Sequence, residues 1–112
     1  MHELSITRSI VAVVAERAGE RRVSAVRLAI GKLSGVDVGA VRFCFDACAQ
    51  GTVLAGAALV IDEIPGRGRC DACGREVELV EPLLRCGCSP TTMLSVVSGD
   101  ELLVRSMEVS DV

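Results

Sequence analysis

The chain has 112 residues, of which 50% are hydrophobic, and a formal net charge of −3. That length allows one domain, or one small domain carrying a smaller module that needs a staple of its own. The acidic balance and the scattered basic residues exclude nucleic acid and an anionic membrane as main partners, because both require a concentrated basic surface.

The first half of the chain predicts two helices separated by a strand. Apolar residues recur at three- and four-residue steps over Leu4–Ala18, which is the pattern of an amphipathic helix. Residues 22–30 contain alternating apolar side chains, a pattern typical of a strand. Asp37 then stands where it can cap a second helix that runs to about Gln50.

The second half predicts three further strands and an interruption. Ala57–Ile64 predicts one strand, and Met93–Val97 and Glu101–Val109 predict two more around a turn. Between them, Pro65–Gly68 breaks the pattern, and the composition changes to cysteine, glycine and charged residues until about Pro90.

These elements predict an α/β (α+β) fold. We expect a small mixed three-stranded sheet with two helices, formed by residues 1–64 and 93–112. An inserted zinc-ribbon-like module is expected at residues 65–92.

The beginning of the chain is not typical of a signal peptide. Met1-His2-Glu3 is acidic where a basic region is needed, and charged residues such as Arg8 and Glu16 interrupt the apolar residues that follow. No apolar run approaches transmembrane length. We therefore expect a soluble cytoplasmic protein with no membrane partner. In that reducing compartment, cysteines are metal ligands or core residues more often than disulfides.

Two close cysteine pairs in the interrupted region predict a structural zinc site. Cys70 and Cys73 are followed, after twelve residues, by Cys86 and Cys88. Structural zinc takes four ligands tetrahedrally, and each pair can supply two of them. The segment has too little apolar content to fold unaided, so metal binding would supply its folding energy. A redox dithiol or a disulfide is the alternative.

The other two cysteines, Cys44 and Cys48, are four residues apart in the second predicted helix. That spacing would let both face one metal or each other. Free cysteine is also among the most buried residue types and these two lie on or beside the apolar stripe, so a place in the core is the preferred explanation.

The first three residues form a second candidate metal site. The α-amine of Met1, the imidazole and backbone nitrogen of His2, and the carboxylate of Glu3 are donors that suit Ni(II) or Cu(II). His2 is the single histidine, and its bulk disfavours removal of the initiator methionine, so we expect the amine to be that of Met1. Alternatively, the terminus is simply solvated, and Glu3 favours the positive end of the first helix.

With these pieces in order, the chain resembles the HypA/HybF family of hydrogenase-maturation nickel metallochaperones. The resemblance spans nearly the whole length and rests on five segments: Met1–Ser5, Ile30-Gly31, Phe43–Asp46, Ile61–Pro65 and Ser98–Leu102.

The resemblance implies nickel at Met1, His2 and Glu3, with Asp37 as a possible additional oxygen ligand. It also implies zinc at Cys70, Cys73, Cys86 and Cys88, although the family's second pair is normally C-x-x-C and this chain has one residue fewer. The implied partners are a HypB-type GTPase and the large subunit of a [NiFe]-hydrogenase. The resemblance implies that this chain is a nickel carrier and not an enzyme. We expect a monomer or weak homodimer.

Two other functions compete with that of a nickel carrier. A zinc-ribbon module that binds other proteins would need no second metal. A thiol oxidoreductase would use Cys70 and Cys73, but such enzymes place C-x-x-C at a strand-to-helix junction, whereas glycines and a second cysteine pair surround it here.

Overall fold

The structure is a computed structural model that describes residues 2–79, 86–88 and 94–110. Its two helices and six strands are α1 (Glu3–Ala18), β1 (Arg22–Gly31), α2 (Val38–Ala49), β2 (Ala58–Ile64), β3 (Gly66–Cys70), β4 (Glu76–Leu79), β5 (Leu94–Ser98) and β6 (Leu102–Ser110). No described helix is long and apolar enough to span a bilayer.

The chain forms two compact units. The first comprises Met1–Ala29, Val36–Asp62 and Leu103–Val112, and the second comprises Ile30–Gly35 and Glu63–Leu102. Composition predicted a zinc-binding domain with limits at residues 65 and 92. Those domain limits stay a prediction.

The first sheet has the strand order β2-β1-β6 and is mixed. Ser24, early in β1, donates to the carbonyl of Glu108 near the end of β6, while Gly31 at the end of β1 donates to the carbonyl of Glu101 just before β6. Because the start of β1 contacts the end of β6 and the end of β1 contacts the start of β6, the two strands are antiparallel. Lys32, just after β1, donates to the carbonyl of Ile64 at the end of β2, as expected for a parallel pair whose crossover is α2.

The first unit packs both helices and the sheet around an aliphatic core. Each helix buries one stripe at helical spacing, and β1 is buried on both faces towards its end. The buried set is Thr7, Val11, Val14 and Ala18 of α1, Val41, Phe45 and Ala49 of α2, Val23, Val26, Leu28 and Ala29 of β1, and Leu54 and Ala57 before β2. The hydroxyl of Thr7 donates to the carbonyl of Glu3 at 2.7 Å, which satisfies this buried polar group.

The second sheet has the order β4-β3-β5, with both pairs antiparallel. The sequence predicted a break in the strand pattern over residues 65–68. The break is limited to Pro65, because Gly66 begins β3. Gly66 and Gly68 are buried there, and a Cβ at either position would meet Leu79 at under 3.0 Å. Glycine, usually weak in a strand, is required by this close approach.

The two strands predicted around the turn at residues 98–100 are confirmed, but they belong to different sheets. β5 pairs with β3, and β6 pairs with β1. Gly99, at φ 103°, lies between them and accepts a hydrogen bond from the backbone of Leu33 at 2.6 Å. The predicted fold class, with two helices, a mixed three-stranded sheet and a zinc-ribbon-like module, is confirmed.

Candidate metal centres

The first candidate centre lies at the start of α1. Glu3 is the first residue of the helix, and His2 precedes it as an exposed N-cap residue whose side chain makes no capping hydrogen bond. The carbonyl of His2 accepts from the backbone of Ile6 at 3.0 Å, which fixes the entry of the chain into the helix. Met1 lies outside the described residues, so the structure places two members of the predicted nickel set.

A hydrogen bond joins Glu3 to the start of α2. The carboxylate Oε2 of Glu3 accepts from the backbone N–H of Asp37 at 2.9 Å. This N–H, followed by the N–H of Glu3 itself and the nearby positive charges, holds the pKa of Glu3 below its ordinary value. Glu3 is therefore an ionised carboxylate beside His2, fixed by two helix N-termini.

Asp37 is the N-cap of α2, as predicted. Its Oδ1 accepts from the backbone N–H of Ala40 at 3.2 Å. The cap accounts for an acidic residue at this position, and a role for Asp37 in metal binding stays a prediction.

The cysteines of α2 are half-buried. Cys44 and Cys48 flank the stripe of Val41, Phe45 and Ala49 that faces the core. No described histidine, cysteine or carboxylate joins them in a group of three potential ligands. Their partial burial beside this stripe is typical of cysteines that flank a core.

The second candidate centre consists of Cys70, Cys73, Cys86 and Cys88. Their four Sγ atoms all lie within 4.8 Å of one another. The Sγ atoms of Cys70 and Cys88 are 3.4 Å apart, and those of Cys73 and Cys86 are 3.7 Å apart. A tetrahedral zinc with Zn–S bonds of ~2.3 Å requires sulfurs about 3.8 Å apart, so this cluster can hold a structural zinc.

The turn after β3 brings the first cysteine pair together. Cys70 ends the strand, and its backbone N–H donates to the carbonyl of Arg75 at 2.9 Å. Gly74 donates to the carbonyl of Cys70 at 2.7 Å and has φ 76°, a conformation that favours glycine. A turn follows Cys70 instead of a helix, in contrast to the junction expected of a thiol oxidoreductase.

Although the second cysteine pair has the shorter spacing, its sulfur atoms still lie close to those of the first pair. Cys86 and Cys70 are buried, while Cys88 and Cys73 are exposed, so each pair contributes one inner and one outer sulfur. Cys70 and Cys86 pack with Leu79 and Leu94 in a small core of four buried residues. Half of that core therefore consists of potential ligands.

The cluster has unequal sulfurs and a basic neighbour that the sequence analysis missed. The guanidinium of Arg75 donates to the Sγ of Cys86 at 3.7 Å. The backbone N–H of Cys88 and this guanidinium lower the pKa of Cys86 to about 6. The adjacent sulfurs, that of Cys70 first, raise the pKa of Cys88 to about 12. Cys86 therefore favours the thiolate, the form in which cysteine binds metal, whereas Cys88 favours the thiol until a metal displaces its proton.

Comparison with known proteins gives one family. The family described as "Hydrogenase/urease nickel incorporation, metallochaperone, hypA" matches residues 1–109. The hydrogenase maturation factor HypA of Nostoc punctiforme is 49% identical over 99% of this chain and 97% of the relative. That of Geobacter metallireducens is 49% identical over 97% of this chain and 99% of the relative.

Two solved structures share the fold. The solution structure of the Ni metallochaperone HypA from Helicobacter pylori has a TM-score of 0.66 and 21% identity, with 97% of each chain covered. Another solution structure of a HypA protein has a TM-score of 0.67 and 21% identity, covering 98% of this chain and 97% of the other. These two likenesses concern the fold, whereas the family follows from the sequence matches: the chain belongs to the HypA family of metallochaperones for nickel incorporation into hydrogenase and urease.

Proposed function

We propose that this chain binds Ni(II) through the α-amine of Met1, the nitrogens of His2 and the carboxylate of Glu3, and delivers it during [NiFe]-hydrogenase maturation. The observation that carries the proposal is the ionised carboxylate of Glu3, held 2.9 Å from the backbone nitrogen of Asp37 and next in sequence to an exposed histidine. Membership of a nickel metallochaperone family supports the choice of metal. Nitrogen and oxygen donors suit Ni(II).

The position of this site suits a carrier that must also release its metal. His2 is exposed, and Glu3 is partly exposed in the first turn of α1. A receiving protein can therefore approach these donors without unfolding the helix. The large subunit of a [NiFe]-hydrogenase is the proposed recipient, and a HypB-type GTPase is the proposed partner, both in the cytoplasm.

The four-cysteine cluster has a separate role in this proposal. A closed set of four thiolates leaves zinc no open coordination position, which is typical of a structural site. We assign Zn(II) there as a structural metal in the second unit, and Ni(II) as cargo in the first.

Nickel titration of the zinc-loaded protein by calorimetry tests the proposed function. Native protein should bind one nickel in addition to zinc, and His2→Ala should remove that binding because the imidazole is lost. Ser9→Ala, an exposed substitution on α1, is the matched control and should bind nickel as the native protein does. If the zinc-loaded native protein binds no nickel, the proposal fails and a zinc-ribbon interaction module becomes the better account.

A further inference from the structure

Two of the four clustered cysteines lie at the surface of the second unit. Cys73 and Cys88 are exposed, whereas Cys70 and Cys86 are buried. A side chain at Gly87, next to Cys88, would meet no described atom within 4 Å apart from its chain neighbours, so the cluster is open on this side. A small polar oxidant can therefore reach the two exposed cysteines directly but not the two buried ones.

Each exposed cysteine has a buried cysteine of the other pair as its close neighbour. The Sγ atoms of Cys88 and Cys70 are 3.4 Å apart, and those of Cys73 and Cys86 are 3.7 Å apart. A disulfide joins its sulfurs at ~2.05 Å, so either contact needs only a small approach to become a bond. Oxidation of an exposed sulfur can therefore be resolved by a buried thiolate that is already beside it.

The two contacts differ in the charge beside the buried sulfur. The guanidinium of Arg75 donates to the Sγ of Cys86 at 3.7 Å. A cationic donor draws electron density from that thiolate and makes it a weaker nucleophile toward Cys73. The sulfur of Cys70 instead accepts from a neutral donor, the backbone N–H of Cys73. Cys70 is therefore the stronger of the two buried nucleophiles, and it faces its exposed partner, Cys88, at the shorter distance.

We propose that Cys88 is a site of oxidation by hydroperoxides such as hydrogen peroxide, and that Cys70 resolves this oxidation to a disulfide that releases zinc. The inference rests on the zinc assignment made above and not on nickel binding. A structural zinc takes four ligands, and the disulfide leaves only Cys73 and Cys86 to bind it. The cluster is then a peroxide-sensitive site as well as a structural one.

The reaction has two steps. A thiol that binds zinc is deprotonated, so Cys88 is a thiolate in the zinc-loaded chain. Its sulfur attacks one peroxide oxygen: an S–O bond forms, the O–O bond breaks, and the hydroxide that leaves takes a proton to become water. The thiolate of Cys70 then attacks the sulfur of Cys88: the S–S bond forms, the S–O bond breaks, and the second hydroxide also becomes water. The two sulfurs lose two electrons in total, which the peroxide oxygens gain.

Zinc release and disulfide mapping test this chemistry on the zinc-loaded full chain. Stoichiometric hydrogen peroxide is added, zinc is followed with a chromogenic chelator, and catalase ends the reaction. The remaining thiols are alkylated, and digestion of the denatured chain with trypsin leaves residues 70–75 and 86–105 on separate peptides. These peptides should be linked, and their fragmentation in the mass spectrometer should locate the bond between Cys70 and Cys88. Zinc release should parallel formation of this bond.

Replacement of an exposed cysteine by histidine separates oxidation from zinc binding, because imidazole is a zinc ligand but carries no thiol. Cys88→His should keep zinc and release it about tenfold more slowly with peroxide, since the attacked sulfur is missing. Cys73→His is the matched control, because it makes the same change at the other exposed position and retains both Cys70 and Cys88. Its zinc release should stay within about twofold of the native rate.

The possible outcomes separate this inference from the zinc assignment on which it rests. Zinc retained by the native chain after peroxide treatment, or a bond that joins Cys73 to Cys86, would overturn the proposal. Greater protection by Cys73→His than by Cys88→His would overturn it as well. If Cys88→His does not hold zinc, the bond mapped in the native chain decides. A native chain without zinc before peroxide is added would instead contradict the zinc assignment itself.

Discussion

Glu3 links two helix N-termini through a single carboxylate. It accepts from the backbone of Asp37, 34 positions away in sequence, while it also begins α1. Each helix N-terminus carries a partial positive charge that would repel a metal cation. The negative charge of Glu3 offsets both, so we expect the residue to orient the first turn and to make the site acceptable to Ni(II).

Glu3→Gln tests that electrostatic role. The glutamine amide oxygen can still accept from Asp37, but the negative charge is lost. Nickel affinity should fall at least about tenfold, whereas the circular dichroism spectrum and zinc content should stay native. Glu16→Gln, on the exposed face of α1, is the control and should keep native affinity. Unchanged affinity in Glu3→Gln would mean that its charge is dispensable.

The pKa of Glu3 also predicts a pH dependence of stability. The Asp37 N–H lowers the folded-state pKa below the ordinary value of 4.5, so the folded state favours the ionised form. The resulting stabilisation is present at neutral pH and is lost as the pH falls through the folded-state pKa. In urea denaturation, the stability difference between native protein and Glu3→Gln should narrow on acidification. A difference that stays constant with pH would contradict the role of ionised Glu3.

Arg75 offers a corresponding test at the cysteine cluster. Arg75→Gln removes the guanidinium beside Cys86, so the pKa of Cys86 should rise from about 6 and protons should compete with zinc at higher pH. Zinc release, followed with a chromogenic chelator during acidification, should shift to higher pH. Arg69→Gln, whose partner is Glu76 and not sulfur, should release zinc at the native pH. If Arg75→Gln and Arg69→Gln released zinc at the same pH, a specific effect of Arg75 would be excluded.

Periodicity of apolar residues predicted those helices and strands that bury one side against the core. α1, β1, α2 and β2 have clear apolar patterns because each buries one side against the core, and the structure confirms them. β3 was missed because Gly66 and Gly68 carry no side chain that could show alternation. Its glycines reflect contacts with Leu79, at the end of β4, and such contacts between strands leave no local signal.

The second sheet should depend on its metal. Its small core contains Cys70 and Cys86 beside Leu79 and Leu94, so removing zinc leaves two polarisable thiols and little apolar area to hold three strands. Cys73→Ala should release zinc and abolish the dispersed amide signals of β3, β4 and β5, while those of α1 and α2 remain. Cys44→Ala should keep zinc and all the signals. Retention of stoichiometric zinc by Cys73→Ala would reject the four-cysteine site.

At the scale of the whole molecule, sequence spacing predicted which cysteines meet but not what surrounds them. Cys70, Cys73, Cys86 and Cys88 converge as their pairing predicts, even with the short second pair. The contact of Arg75 with Cys86, and that of Glu3 with Asp37, depend on how turns and helices are placed, which residue patterns do not encode.

We propose that one chain holds two different metals at chemically separate sites. The most direct measurement is the nickel and zinc content of the native protein and of a version extended by Gly-Ser before Met1, each after nickel loading and desalting. The extension converts the Met1 amine into an amide and moves the new amine away from His2. We predict one zinc in both proteins and one nickel in the native protein alone. Equal nickel in both would contradict the account, because the α-amine would then not be a ligand.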